Sequence, residues 1–415
     1  MMSPISFLCA LSSFVGCFVI ATASLRAEPP VAADEAVELA LSKNPELAAA
    51  RMVIAEAEAR TRTTGRLTNP ELTGEVASGQ DFEGRVAVGI TQPFPLTGRL
   101  RFERELSAVE LEMARLEIKD RERQLKAAVR KAFYDLVAAR AAISLATQQA
   151  DLAASFAKVI ADGVGQGFGS SLDAQQAQLA TEVARAKSVS LRSEEVAALA
   201  RLNVLIGRPS DTLLRTESTL NLPKTIPANR TMRERADLQL AETAVRGGAA
   251  QVSLAKASRW EDLGVGVFVE GERFRDEPEG IEPEALVGLQ FNIPLPLWQN
   301  GSGKVAEMEA AQARKTATLD ALRFSARNEA LTAHAILSVR FRSAAEMQAT
   351  LVPAAKKQVT DAEAAYLRGE LDITTVFRTR EQLVEVEAAS LEARKNYFAA
   401  YAEWLAALGE TSAQP

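Results

Sequence analysis

The sequence is poor in the residues that hold metals, form disulfides or build a compact aromatic core. Its 415 residues include one histidine, His334, two cysteines, Cys9 and Cys17, and only 6% aromatic residues. So few imidazoles and thiols provide almost no soft ligands for a metal. They also leave no Ser/His/Asp or Cys/His set for nucleophilic catalysis. We therefore expect no catalytic, cofactor or metal site, and we interpret His334 as a helix-packing residue.

The sequence also lacks a surplus of positive charge and a second long hydrophobic run. A net charge of −6 argues against a nucleic-acid binder, which usually carries a basic stripe. After the apolar run over residues 5–23, no stretch approaches the roughly 20 apolar residues that a membrane helix requires. If the rest of the chain enters a membrane, it must do so as β-strands.

Residues 1–23 are typical of a secretory signal peptide, with an apolar core that ends in the small residues Ala21-Thr22-Ala23. Both cysteines lie in this segment, so the exported chain would contain none and could not use disulfides. Two alternatives remain open for the segment. It could stay as a single uncleaved membrane helix, or Cys17 could carry a lipid.

The remainder of the chain is an internal duplication, in which the same order of predicted helices and strands occurs twice. Residues 34–207 predict a helix that Asp34 caps, a β-hairpin over 71–91, a long helix, a turn and a closing helix. Residues 231–409 predict the same order, with the hairpin over 262–292. Between the copies, residues 208–230 hold three prolines and no helical period, which indicates a linker, and residues 410–415 form a tail.

The long helices have the periodicity of coiled coils. From Val129 to Ile160, apolar and small residues recur in alternating steps of three and four, the a/d signature. At 1.5 Å per residue, a helix over 99–161 would be roughly 90 Å long. Pro353, within the second long helix, is expected to bend that helix without ending it. The helices alone would also suit a cytoskeletal or spacer coiled coil. The second copy carries a looser seam: Ala330, Ala333, Leu337, Ala344, Met347 and Leu351.

Four segments alternate apolar with polar or small residues, at residues 71–78, 85–91, 262–270 and 284–292. With their flanks they have the 9–11 residues of a tilted membrane strand, and one face of each is apolar. Four strands cannot close a barrel, and open edges are not tolerated in lipid. Three copies of the chain would supply twelve strands to a shared barrel. The alternative is two soluble hairpins packed on helices.

Gly301-Ser302-Gly303-Lys304 invites comparison with a phosphate-binding loop. Val305 stands where that motif requires Ser or Thr, and Trp298 stands at its first glycine. We therefore interpret the segment as a strand-to-helix turn.

The ordered set of motifs resembles the TolC family of outer-membrane efflux channels, and most closely its heavy-metal branch for cobalt, zinc and cadmium. The duplication carries this resemblance together with several short motifs, none of them specific alone. These are Asn44-Pro45-Glu46-Leu47, Asn69-Pro70-Glu71-Leu72, Phe94-Pro95-Leu96, Ile293-Pro294-Leu295, Ile206-Gly207, Leu408-Gly409, Tyr366-Leu367-Arg368-Gly369-Glu370-Leu371-Asp372 and Arg394-Lys395-Asn396-Tyr397.

The resemblance implies a mainly α protein with membrane β-strands. It implies a homotrimer whose twelve-stranded outer-membrane β-barrel, four strands per chain, continues into a long coiled-coil barrel in the periplasm. The partners would be outer-membrane lipid, a periplasmic adaptor (membrane-fusion) protein and an inner-membrane pump of the resistance-nodulation-division type. The channel would be a passive conduit for heavy-metal cations, or for drugs and other small molecules. A soluble periplasmic coiled-coil adaptor or scaffold is the alternative from another class.

The resemblance places the periplasmic gate and the adaptor-docking surface at two helical turns. The candidate residues are Gly169, Ser170, Asp173, Gly369, Asp372, Thr375 and Arg378. A ring of carboxylates from Asp173 or Asp372 would favour cations, although each could equally cap its following helix. Thr375 and Arg378 align with two gate aspartates of the family, which puts a carboxylate gate there in doubt. Arg378 is instead a candidate for a salt bridge across helices.

Overall fold

The computed structural model describes residues 30–78, 84–167, 170–216, 219–228, 235–276 and 280–409. The expected signal segment, with Cys9 and Cys17, lies outside these residues, as do Gly169 and the tail over 410–415.

Within the described residues, the chain forms eight α-helices, a π turn and four β-strands. The first half contains α1 Ala33–Lys43, α2 Pro45–Thr63, β1 Glu71–Ser78, β2 Gly84–Phe94, α3 Arg99–Gly165 and α4 Ser171–Leu205. The second half contains α5 Ala236–Ala257, β3 Leu263–Asp276, β4 Gly280–Asn292, α6 Ser302–Glu346, the π turn Met347–Leu351, α7 Val352–Leu367 and α8 Ile373–Leu408. The prediction of a mainly helical chain with four membrane-type strands is confirmed.

The first predicted helix is two helices, because the chain bends at Asn44 before Pro45. Asn44 has extended backbone angles, and its side chain accepts a hydrogen bond of 2.8 Å from the Leu47 N–H at the start of α2. The expectation that Asp34 caps α1 was wrong, since Ala32 occupies the N-cap position. The Asp34 carboxylate instead accepts a 3.1 Å hydrogen bond from Arg130 on α3.

The four strands form one antiparallel sheet in the order β1-β2-β3-β4. Each predicted hairpin is present, and β2 pairs with β3, so the two halves of the chain share the sheet. The β2–β3 register places Val88 opposite Val269 and Gly89 opposite Phe268. The apolar positions of both hairpins consequently lie on the same face.

The seam predicted for α3 is confirmed along its length. Val129 and Leu136 are fully buried, and Ala146, Ala150 and Ile160 are nearly so. The helix spans 67 residues, which corresponds to about 100 Å. Its seam packs against α4, and with α1 it encloses a buried cluster of aliphatic side chains.

The corresponding seam in the second half changes phase at the π turn. Leu337 and Ala344 are buried one heptad apart, whereas Leu351, the predicted position one heptad after Ala344, is 45% exposed. Val352, one residue later, is half-buried, and burial resumes at Val359. Pro353 has no N–H for the preceding turn, and the π turn accommodates it by inserting one residue. The prediction of Leu351 as a seam residue was therefore wrong, and the helix continues past Pro353 as expected.

Each half of the chain is closed by a side chain that joins its first helix to its last. In the first half, the amide of Asn44 donates a 2.9 Å hydrogen bond to the Leu205 carbonyl at the end of α4. In the second half, the buried Arg235, at the N-cap of α5, donates a 3.2 Å hydrogen bond to the Ala407 carbonyl of α8. Gly207 allows the first closure, because its backbone is left-handed and a Cβ would lie 2.2 Å from the Lys43 carbonyl oxygen.

We expect Asn44→Ala to lower the thermal stability of the helical part. The substitution removes the cap of α2 and leaves the Leu205 carbonyl unpaired, which together cost about 1–2 kcal/mol. Circular dichroism at increasing temperature measures the effect. Ser42→Ala is the control, because Ser42 is exposed and its hydroxyl bonds only to carbonyls of its own helix. Equal melting temperatures for the two variants would contradict the closing role of Asn44.

Candidate functional site

The outward face of the sheet is apolar and uncovered by the rest of the chain. Along the register, Leu72, Ile90, Val267 and Leu289 form one cross-strand row. These side chains are exposed by 52% to 75%. Val86, Val88, Val269, Val287 and Phe291 are also exposed on this face. An apolar face of this size is unfavourable in water and marks an interaction with a protein or a membrane.

The inward face is lined by small and polar residues. Leu286 and Phe268 are the exceptions, and Phe268 has a glycine on each side of it in the register, Gly89 and Gly288. A Cβ at Gly288 would lie 2.4 Å from the Phe268 ring, and one at Gly89 would lie 3.1 Å from the Phe268 Cβ. The glycines therefore make room for this side chain, and the sheet can curve towards this face.

The inward face is also acidic. Among its described positions are five glutamates: Glu71, Glu75, Glu270, Glu272 and Glu284. Arg85 is the one basic residue among the same positions, and it lies 2.7 Å from Glu270 and 3.5 Å from Glu75. Four negative charges per chain are thus uncompensated there. Such a surface attracts cations along its length.

The sheet is attached to the helices by polar contacts at one end. Arg99, the first residue of α3, forms a 2.5 Å ion pair with Asp262, just before β3. Thr97 donates a 2.8 Å hydrogen bond to the Ala257 carbonyl at the end of α5. Because these contacts cross between the two halves of the chain, they hold the hairpins at one angle to the helices.

At the opposite end of the helices, Ser170 and Asp173 lie at the start of α4. Ser170 is the N-cap residue, and its hydroxyl accepts a 3.1 Å hydrogen bond from the Leu172 N–H. Asp173, in the first turn, accepts a 3.2 Å hydrogen bond from the Tyr366 hydroxyl of α7. The capping role therefore belongs to Ser170. Partial burial and the neighbouring Asp173 carboxylate raise the pKa of Tyr366, so it remains a donor at neutral pH.

The second turn holds the other candidate residues. Gly369 follows α7 with a left-handed φ of 77°, and Asp372 is the N-cap residue of α8. The Asp372 side chain accepts from the Thr374 hydroxyl and makes no cap bond to the helix backbone. Thr375 is half-buried in the first turn of α8, whereas Arg378 is exposed. Arg378 forms no ion pair with another described residue of the chain.

The salt bridge expected of Arg378 is formed by Arg380 instead. Its guanidinium lies 2.5 Å from Glu363 of α7 and 4.2 Å above the ring of Phe156 on α3. Phe156 and Ile373 belong to an apolar cluster that joins the two helical hairpins near their turns. Sequence reasoning missed Tyr366, Glu363 and Arg380 because their contacts join distant segments.

A second polar contact joins three helices farther from the turns. Glu387 of α8 is 9% exposed, and it accepts a 2.9 Å hydrogen bond from Gln149 of α3. Its other oxygen lies 3.0 Å from the Lys356 ammonium, three residues after Pro353. The hairpin of α7 and α8 is thus tied to the hairpin of α3 and α4 at two levels, to α3 near Glu387 and to α4 near Asp173.

The described residues contain no cluster of three or more His, Cys, Asp or Glu side chains that could hold a metal ion. None of the helices in the described ranges is both long enough and apolar enough to span a bilayer. His334 is half-buried, its ring centroid lies 5.7 Å from that of Trp404, and it packs between helices as expected. Gly301 forms the turn before α6, as predicted for the Gly-Ser-Gly-Lys segment.

Solved structures share this fold. CusC, described for conformational changes that accompany folding and transmembrane channel formation, superposes with a TM-score of 0.75 at 17% identity, covering 91% of this chain and 92% of CusC. VceC, an outer membrane protein of Vibrio cholerae, has a TM-score of 0.71 at 17% identity, covering 91% and 96%. The open MtrE outer membrane channel of Neisseria gonorrhoeae has a TM-score of 0.70 at 17% identity, covering 91% and 89%.

The fold is therefore that of TolC-like outer-membrane channels. Residues 36–208, the first of the two repeats, match the model of the outer membrane efflux protein family. No curated protein matches the sequence.

We expect Tyr366→Phe to raise the conductance of the protein in planar bilayers. The substitution removes the bond to Asp173 that ties α7 to α4 at the turns, and a net loss of about 1 kcal/mol is a roughly fivefold change in a two-state population. Tyr134→Phe is the control, because Tyr134 lies away from the turns and stacks on Phe398.

Asp173→Ala tests the same contact from its other side. If the bond acts as a unit, the double variant of Tyr366 and Asp173 should conduct no more than either single variant. Additive effects, or a Tyr366→Phe variant that conducts like the wild type, would contradict the role of this contact.

Proposed function

We propose that the chain is one subunit of a homotrimeric outer-membrane efflux channel. The single observation that carries this proposal is the sheet, which has an exposed apolar face and two outer edges, on β1 and β4, without a strand partner among the described residues. In lipid, backbone N–H and C=O groups need hydrogen-bond partners within the protein. Three copies joined edge to edge supply those partners and close a twelve-stranded barrel.

The helices support the same assembly. Helix α4 packs on α3, and its other side presents Leu179, Val183, Val189 and Val196, each more than 60% exposed. On α6, Phe324 and Val339 are exposed by 74% and 62%. In a ring of subunits, these two surfaces face each other, so the same symmetry that closes the sheet buries them.

The channel would work as the outer part of a tripartite system in a Gram-negative bacterium. The turns near Ser170 and Gly369 would dock a periplasmic adaptor, and an inner-membrane pump of the resistance-nodulation-division type would supply the energy. The fold and the family match of the first repeat support this arrangement.

We propose heavy-metal cations as the cargo, carried as ions in water and not as ligands of the protein. The acidic inner face of the sheet supports a positively charged cargo, because four uncompensated charges per chain become twelve in a trimer. The electric field of these glutamates acts only on the charge of the cargo. The choice between a metal ion and an organic cation would therefore rest with the pump and the adaptor.

Neighbouring residues of β4 allow a sharp test of the lipid-facing surface. Val287 and Leu286 are both exposed, by 75% and 53%, and they point to opposite faces. We expect Val287→Arg to reduce the protein in the outer-membrane fraction, because a cation on the lipid-facing side is unfavourable in each of three subunits, by about 2–4 kcal/mol at the bilayer midplane and by less towards its edges. Leu286→Arg, the matched control, should reach the membrane as a species of three times the subunit mass in mild detergent.

Cell fractionation and mass measurement read out both variants. If Val287→Arg and Leu286→Arg are inserted equally well, the outward face of the sheet does not contact lipid, and the channel proposal is overturned. A wild-type protein that is extracted without detergent as a monomer or dimer would favour the periplasmic adaptor or scaffold instead.

A second prediction concerns ion selectivity. In a salt gradient across a planar bilayer, we expect the reversal potential of the wild-type protein to show a preference for cations. Glu272 and Glu284 face each other on adjacent strands, and replacing both with Gln should lower the preference. Arg85→Gln should raise it, because Arg85 is the basic residue of the same surface. A reversal potential that is insensitive to these changes would show that the acidic face does not set selectivity.

A further inference from the structure

The two connections between the sheet and the long helices differ in length. Four residues, 95–98, join β2 to α3, whereas nine residues, 293–301, join β4 to α6. The longer connection contains Leu297 and Trp298, which are exposed by 70% and 93%. Large apolar side chains with so little contact to their own chain indicate a surface that another apolar phase covers.

The connection continues the outward apolar face of β4. Val287, Leu289 and Phe291 are exposed on that face, and the alternation extends beyond the strand through Ile293, Leu295 and Leu297. Pro294 and Pro296, between them, are half-buried. The chain turns at Leu297, whose N–H donates a 2.8 Å hydrogen bond to the Leu295 carbonyl. From Ala285 to Leu295, an extended chain covers about 33 Å, or about 25 Å along the membrane normal at a tilt of about 40°. The apolar band of an outer membrane is about 25 Å tall, so the last of these residues would reach its edge.

A second exposed tryptophan precedes the neighbouring strand. The sequence has three tryptophans, and Trp404 is 1% exposed within the helical core. Trp260 is 47% exposed and comes three residues before β3, whose Gly264 pairs with Asn292 at the end of β4. The two exposed tryptophans are therefore both at the helical end of the sheet.

The surroundings of these tryptophans are polar and contain charges of both signs. Gln299 and Asn300 follow Trp298. Arg259 precedes Trp260, and Glu261 and Asp262 follow it, with Asp262 paired to Arg99. Arg259 also lies along the connection, because a Cβ at Gly301 would be 3.0 Å from its side chain. An indole ring with apolar residues on one side and polar groups on the other fits the headgroup region of a bilayer, and a guanidinium fits the lipid phosphates.

We propose that residues 293–301, together with Trp260, form an anchor in the headgroup region of the inner leaflet of the outer membrane. The occupant of this surface is lipid, because the surface is continuous with the sheet face that the proposed function assigns to lipid, on which this inference rests. The anchor sets the height of the channel in the membrane. It belongs to the second half of the chain, since the short 95–98 connection has no counterpart of Leu297 and Trp298.

Tryptophan fluorescence of the full-length protein in vesicles tests the anchor. Trp404 stays in every variant, because its burial protects it from quenchers. Trp260→Phe leaves Trp298 as the accessible fluorophore, and the double variant of Trp260 and Trp298 gives the background. Leu289→Trp in the double variant reports on the middle of the sheet, with Phe291→Trp as a second reporter if that protein does not fold.

The vesicles contain phosphatidylcholine brominated either near the headgroup or near the end of the acyl chain. We expect Trp298 to lose more emission with bromine near the headgroup, and the mid-sheet reporter to lose more with bromine near the chain end. If aqueous iodide quenches Trp298 and neither brominated lipid does, while the mid-sheet reporter is quenched by lipid, the anchor is refuted and the channel proposal stands. If lipid quenches neither fluorophore, the sheet does not meet the bilayer and both proposals fail.

Discussion

The need to pair every backbone hydrogen-bonding group of a strand in lipid is the constraint on which the proposed channel depends. Four strands make a sheet with two free edges, and such a sheet is stable in a bilayer only as part of a closed ring. The side chains agree with that requirement, since one face is apolar and the other carries Glu71, Glu75 and further acids. In the proposed trimer, the ring also sets the symmetry for the helices, which would meet their neighbours along the same interfaces.

The duplication supplies the framework, and the differences between the copies supply the specialised parts. Asn44 and Arg235 each join the first helices of their half of the chain to the end of its last helix. Asn44 does so through its amide, and Arg235 through a buried guanidinium. The hydrogen bonds of Arg235 to Asp237 and Glu329 raise its pKa despite burial, so it stays charged. Within the described chain, the π turn occurs only in the second half, and the connection after the second hairpin, residues 293–301, is longer than the corresponding connection 95–98. Both features add residues to the second copy.

The polar contacts between the helical hairpins near the turns are few. Tyr366, Arg380 and Glu387 each cross between helices, yet each does so through one or two hydrogen bonds or ion pairs. Polar contacts of this kind contribute about 1 kcal/mol each, much less than the apolar seam of α3. The seam can therefore keep the hairpins intact while their relative position changes.

The sequence by itself determined the elements, the duplication and the apolar face of each strand, because those features depend on a local period of two or of 3.5 to 3.6 residues. The sequence could not predict that Leu351 is exposed. The π turn before Pro353 adds one residue to the helix and shifts the buried seam, and the packing of the helix determines where that residue is added. The β2–β3 register, the Tyr366–Asp173 bond and the choice of Arg380 over Arg378 were also decided by the tertiary structure. These contacts join segments 17 to 193 residues apart, and a local pattern carries no information about which distant side chain will be within reach.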